Sequence, residues 1–438
     1  MLYNVARPCG LALRLRYSPN TFVCPDLVMT TIDTLAQPVG GGPLDRNRLA
    51  ALFSAALLGL GALWLGETIS GKQAALFLVG GALGVVLYHA AFGFTSAYRV
   101  LIADGRGAGL RAQMAMLALA AVLFFPAIAG GSLFGQTVAP NVHPIGVGLV
   151  VGAFLFGVGM QLGSGCASGT LYTVGGGSTR MVVTLAFFIF GSTIGSAHFD
   201  WWESLPKFPP VDTIKLFGWP AALAGHLALF ALIAGSAILI ERRIHGRLIS
   251  KPETARQGFA RFLRGPWPLV WGAVGLAVLN FLTLAIAGKP WGVTSAFALW
   301  GSQLADAIGI DVASWSYWQA PKRAAELHQS LFRDITSVMD LGIILGAMVA
   351  AGLAGRFAPT WRIPARSLTA AVIGGTLMGY GARLAYGCNI GSYFSGIASG
   401  SLHGWVWIVA AMVGSALGTW IRPAFGLAVE RTARRGAC

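Results

Sequence analysis

Apolar runs of roughly 20 residues recur along this chain, and that recurrence limits its fold more than any other feature. At about 1.5 Å per helical residue, each run matches the hydrocarbon core of a bilayer. Inside a bilayer every backbone polar group must be satisfied internally, which leaves helices or closed barrels. Ten spans are predicted, at 49–66, 73–90, 112–129, 145–162, 181–198, 219–240, 268–286, 340–354, 367–386 and 404–421. The run at 340–354 is short, and its start is open toward lower numbers. Charged residues make up 11% of the chain, against about 25% in an ordinary soluble domain. A soluble fold of 438 residues lacks its surface here. A membrane barrel would need short alternating strands. The expected class is therefore an all-α polytopic membrane protein.

The net charge of +15 follows loop position. Arg242, Arg243, Arg247, Lys251, Arg256, Arg261 and Arg264 crowd one loop, and Arg422, Arg431, Arg434 and Arg435 the tail. Segment 355–366 carries Arg356, Arg362 and Arg366, and 99–111 carries Arg99, Arg106 and Arg111. Segment 130–144 has no Lys or Arg. The positive-inside rule then predicts cytoplasmic N and C termini in a multi-pass membrane protein. The lipid bilayer accounts for the basic balance, and no nucleic-acid partner is expected. Lys207, Lys215, Lys289, Lys322, Arg323 and Arg333 fall outside on this count and weigh against it. The predicted organisation is an extension at 1–48, a first transmembrane half at 49–240, a basic linker at 241–267, a second half at 268–421 and a tail at 422–438. Residues 1–28 read either as lying upstream of a start at Met29 or as a genuine short extension.

Between the spans lie pieces too apolar for aqueous loops and too short to cross, at 91–98, 165–177, 290–303 and 388–400. They are expected to be four re-entrant half-helices, since irregular backbone at membrane depth must be buried in protein or line a cavity. FGFTSAY (92–98) matches WGVTSAF (291–297) at Gly, Thr, Ser and Ala. GAFLFGVGMQLGSGCASG (152–169) matches GGTLMGYGARLAYGCNIG (374–391) at eight positions under a shift of 222 residues. Gly165 then meets Gly387 and Cys166 meets Cys388. An extra hydrophilic insertion falls near 306–339. Equivalent points are five spans apart, an odd number, so the two repeats are expected to be inverted, an architecture of transporters and channels.

Of five cysteines, only Cys166 and Cys388 fall in the embedded part, and no CxxC pair exists. Each follows a glycine and opens a half-helix, whose unpaired N–H groups and partial positive charge favour an anion. A soft thiol beside such a site suits a small sulfur-containing anion. Ser164 is expected to add a hydroxyl beside Cys166, and Thr95, Ser96, Thr294 and Ser295 add more in the companion pieces. Taken singly, Thr95, Ser96, Thr294 and Ser295 read more simply as helix–helix hydrogen bonds. Arg383 is an intramembrane candidate, either functional or snorkelling to the interface. Its repeat partner Gln161 is a pore-lining candidate. His89, His198 and His226 share no spacing, so neither metal nor cofactor is expected. No GxxxxGK[ST] loop is present, which argues against ATP-driven pumping.

GMQLGSGCASGTLYTVGGGS (159–178), GARLAYGCNIGSYFSGIASGSLHGWVW (381–407) and KPWGVTSAFALWG (289–301) resemble the YeeE/YedE family of sulfur-transport membrane proteins. The resemblance runs from about residue 73 onward. It implies uptake of thiosulfate or a related species, passed between cysteine thiols on a narrow path, with TusA-type sulfur-carrier proteins as partners. Many members carry a third cysteine in an FCF pattern, where this chain has FGF with Gly93. The expectation is thus a permease and not an enzyme. A passive channel for small neutral or anionic solutes is the alternative, weakened by the absence of an NPA motif. A thiol oxidoreductase would ordinarily need the missing CxxC.

Overall fold

The structure is a computed structural model that describes residues 45–249 and 258–432. The start at Met29, the thiols of Cys9, Cys24 and Cys438, and Lys251, Arg256, Arg434 and Arg435 lie outside the described residues. Leu44–Arg431 forms one compact unit.

Every predicted span falls on a helix. In chain order these are α1 (Arg46–Thr68), α2 (Gly71–Ala90), the short α3 (Phe94–Asp104), α4 (Ala108–Ala129), α5 (Val147–Gly163), the short α6 (Ala167–Gly175) and α7 (Thr179–Ala197). There follow α8 (Trp219–His245), α9 (Leu269–Ala287), the shorter α10 (Thr294–Ala307), α11 (Ile335–Ala354), α12 (Ala365–Leu384) and α13 (Leu402–Ile421). Among the described residues nine helical stretches are long and apolar enough to cross a membrane. The exception of matching length is α12, which carries Arg366 and Arg383. Two boundaries move. Helix α11 begins at Ile335, capped by the Asp334 side chain on Ser337 N–H, so Asp340 lies inside a span and the hydrophilic insertion ends earlier than predicted. Helix α8 runs into the basic linker as far as His245.

Three of the four short apolar pieces become short helices, and the fourth becomes a π-helical turn, Asn389–Ser395, with a final turn Gly396–Ala398. The break after α5 runs through Ser164 at φ 67°, Gly165 and an extended Cys166. The break after α12 runs through Tyr386 at φ 57°, Gly387 at φ 149° and an extended Cys388. Ser164 and Tyr386 are repeat-equivalent, and both occupy a region uncommon for residues with a Cβ.

Small residues bring the helix backbones together, as expected where apolar burial alone gives helices no reason to associate. Helices α5 and α12 cross antiparallel. A Cβ on Gly152 would stand 2.6 Å from the Gly381 carbonyl oxygen, and one on Gly374 would stand 2.7 Å from that of Gly159. Helix α7 lies along α12 as α13 lies along α5. A Cβ on Gly191 would come within 2.2 Å of Thr376 O, and one on Gly414 within 2.1 Å of Phe154 O. Gly195 meets Arg383 where Gly418 meets Gln161. Gly379 meets Phe188 where Gly157 meets Ala411. Each contact becomes its counterpart when α5 is exchanged with α12 and α7 with α13. The same exchange carries the α2–α11 packing onto α9–α4, and α1–α11 onto α8–α4.

Candidate functional site

Each Gly-Cys turn makes its thiol the cap of the segment that follows. Gly169 N–H donates to Cys166 Sγ at 3.4 Å, and Ile390 N–H to Cys388 Sγ at 3.4 Å. Both cysteines are buried, with exposures of 1% and 0%. The two segments pack on one another. Glycine is required at both turns. A Cβ on Gly165 would meet Met181 Cε at 2.7 Å, and Gly387 sits at φ 149°.

Beside the second turn, on the face that carries 130–144, a cavity of about 270 Å³ opens. Thr294, Ser295, Arg383 and Gly387 line it, as do Lys289, Arg323, His143 and Tyr317. Arg383 is 7% exposed, so it does not snorkel. Its Nη2 donates to the Thr294 carbonyl at 3.1 Å and its Nη1 to the Tyr317 hydroxyl. Arg323 stacks over the Tyr317 ring at 4.2 Å. His143 lies flat on Tyr386, with ring centroids 4.5 Å apart. Burial, helped by Arg323 and opposed by Glu203, lowers the His143 pKa to about 4, so the imidazole is neutral near pH 7. The fixed charge of this cavity is thus positive, supplied by Lys289, Arg323 and Arg383.

Away from that cavity, arginines cover the end of α5. Arg180 donates to the Leu162 and Gly163 carbonyls at 2.8 and 2.7 Å, and Arg422 to the Gln161 carbonyl. Cations at a helix C-terminus satisfy orphan carbonyls and oppose the partial negative charge there. Ser164 is exposed and its Oγ faces Arg422 at 3.3 Å. The hydroxyl near Cys166 is that of Ser168, 3.5 Å from the sulfur. Arg99 forms a two-pronged pair with Glu430, both contacts 2.6 Å. Gln161 Nε2 donates to the Thr95 carbonyl at 3.1 Å. This is the counterpart of Arg383 on Thr294.

The remaining candidates act locally. Ser96 Oγ donates to Gly93 O at 3.1 Å, and Ser295 Oγ to Thr336 Oγ1 at 3.0 Å. Thr95 Oγ1 is buried without a partner among the described residues. A Cβ at Gly93 would meet Ser96 Oγ at 2.7 Å. Sequence reading missed the link between the halves, where Asn389 Nδ2 donates to the Tyr98 hydroxyl at 3.3 Å. Both residues belong to the matched motifs but sit where the two copies differ, Tyr98 against Phe297 and Asn389 against Ala167. No metal-binding group of three or more His, Cys, Asp or Glu occurs among the described residues.

A family model described as Sulphur transport matches residues 89–417. The chain is 28% identical over 352 residues to the thiosulfate transporter TsuA of Spirochaeta thermophila, covering 78% of this chain and 97% of that protein. It is 23% identical over 356 residues to the thiosulfate transporter TsuA of Escherichia coli K12, covering 78% and 93%. Over 155 residues it is 34% identical to YedE of Escherichia coli K12, described as a transporter, covering 35% and 37%.

Proposed function

We propose, from the premise that the chain belongs to the sulphur transport family, that it imports thiosulfate across the bacterial inner membrane past two thiols. Transport of a sulfur anion, not enzymatic turnover, is the activity of the family. The observation that carries the path is the paired Gly-Cys turn, two buried thiols each accepting one N–H at 3.4 Å and each opening a short segment. Lys289, Arg323 and Arg383 draw the anion into the outer cavity, because fixed positive charge in a low-dielectric cleft raises the local anion concentration. At the cavity floor Gly387 lets the anion approach the backbone, and the Cys388 S–H donates to it. The anion passes Tyr98 and Asn389 to Cys166 and leaves toward Arg99 and Arg422. Soft sulfur on both partners makes the thiols a better match for thiosulfate than for a hard oxyanion.

The exchange of packing contacts between halves supports an inverted repeat. Antiparallel α5 and α12 meet through Gly152–Gly381 and Gly374–Gly159, a pairing that fits a two-fold axis perpendicular to both helices. Such an axis lies in the membrane plane, so the Gly-Cys segments dip in from opposite faces. The arginine-rich ends at Arg242, Arg243 and Arg247 favour a cytoplasmic inner face. The resemblance implies a TusA-type sulfur carrier as acceptor there, and co-purification with the transporter tests it.

Uptake of radiolabelled thiosulfate into proteoliposomes tests the reading. Cys388→Ala and Cys166→Ala are expected to fold and to lose about tenfold or more in rate. Equal flux of thiosulfate and glycerol, unchanged in the double variant, would replace it with a passive channel.

A further inference from the structure

Helix α11 carries a buried acid that the thiol path leaves unused. Asp340 has 0% exposure, and neither carboxyl oxygen has a hydrogen-bond partner among the described residues. No Lys, Arg or His lies within ion-pair distance of it among those residues. A bare carboxylate so deep is unstable, and intramembrane acids that persist face cavities or pathways. Asp340 lies on α11 between the outer cavity and α6. One turn toward the outer face, Thr336 lines the cavity and accepts from Ser295. One turn inward, Ile344 abuts Gly175 of α6, the helix that Cys166 caps. Thr336, Asp340 and Ile344 share a helix face at intervals of four residues.

We propose that Asp340 is the proton-binding site that couples anion import to proton entry. The inference rests on the transport reading. A proton from the outer cavity joins one Asp340 oxygen as the anion enters, making a neutral acid. That proton leaves to the cytoplasm after the anion does, restoring the carboxylate. The titratable groups that reach Asp340 are Asp334, at the cap of the same helix, and the Cys388 thiol. Packed against α11, α2 offers Gly80 and Gly84 and α6 offers Gly175, while α10 offers Ser295 and Trp300. A proton fits better than a metal cation, which needs several converging oxygens.

The test uses the full chain in proteoliposomes, with membrane potential held at zero and external pH one unit below internal. Wild type is expected to accumulate radiolabelled thiosulfate up to about tenfold and to acidify the lumen, one proton per anion. Asp340→Asn mimics the protonated acid. It is expected to keep downhill flux within about twofold but to lose accumulation and acidification. Accumulation retained by Asp340→Asn overturns the proposal, as does wild-type accumulation driven by a sodium gradient alone. If wild type carries no thiosulfate, the transport reading fails, and infrared difference spectra still read Asp340 directly. A carboxylic-acid C=O band that grows as pH is lowered through neutral, lost in Asp340→Asn and kept in Asp340→Glu, is expected. Its absence from wild type overturns the proposal.

Discussion

The helix breaks at Cys166 and Cys388 were legible because their signal is local: glycine, cysteine and a break in hydropathy stand side by side in each copy. The convergence of the cavity charges was not, because Lys289, Arg323 and Arg383, of which only Arg383 stood out in the sequence, come from separate segments that only the fold unites. Lys289 and Arg323 even counted against the topology, since positive charge on the outer face breaks the orientation rule. In the proposed path they attract anions, which supplies the reason. Asp340 was hidden differently. Taken as the edge of a run, an acid marks where a span begins, whereas the capped start at Ile335 places it inside. Arg383 gives the sharpest test at this scale. Its counterpart Gln161 makes the same bond to a threonine carbonyl, so Arg383→Gln is expected to fold normally. Removing a charge-assisted donor from the cavity is expected to raise the apparent KM for thiosulfate about tenfold. An unchanged KM would mean that Arg383 is purely structural.

At the scale of helices, span positions were readable because apolar length is a strong signal. Helix α12 is a helix where a tenth span was expected, but its two arginines leave it outside the nine described stretches apolar enough to cross. Partner choice was not readable, since it rests on glycines that look alike in sequence. The pair Gly191-Ser192 and Gly414-Ser415, each followed by Gly at 195 and 418, repeated the pattern and went unread. Its role is close approach to α12 and α5. Packing predicts which glycines tolerate change. A Cβ on Gly379 would stand 2.1 Å from Phe188 O, a backbone atom that cannot swing aside. Gly379→Ala, and its counterpart Gly157→Ala, are therefore expected to destabilise by ~1–3 kcal/mol through overpacking. Gly59 has nothing within 4 Å of its would-be Cβ, and there alanine is expected to be neutral or slightly stabilising. Melting temperatures of the purified variants in detergent check this contrast.

For the whole molecule, the exchange of α5 with α12 and α7 with α13 explains how one chain could present similar thiol sites to two faces. It also places demands on orientation. Reporter fusions after residue 249 are expected to read cytoplasmic and fusions within 130–144 periplasmic. A cytoplasmic reading at 130–144 would undo the inverted arrangement. Energetics make coupling reasonable at this scale, since each negative charge entering against about 100 mV, inside negative, costs ~2.3 kcal/mol. A proton carried on Asp340 would offset one of the two charges of thiosulfate.

The central claim is that the anion runs between Cys388 and Cys166, and sided labelling of single-cysteine variants in oriented vesicles tests it most directly. A small impermeant maleimide is expected to reach Cys388 from the periplasmic side and Cys166 from the cytoplasmic side, and thiosulfate is expected to slow both reactions. Labelling of both thiols from one face, at rates indifferent to thiosulfate, would contradict the account.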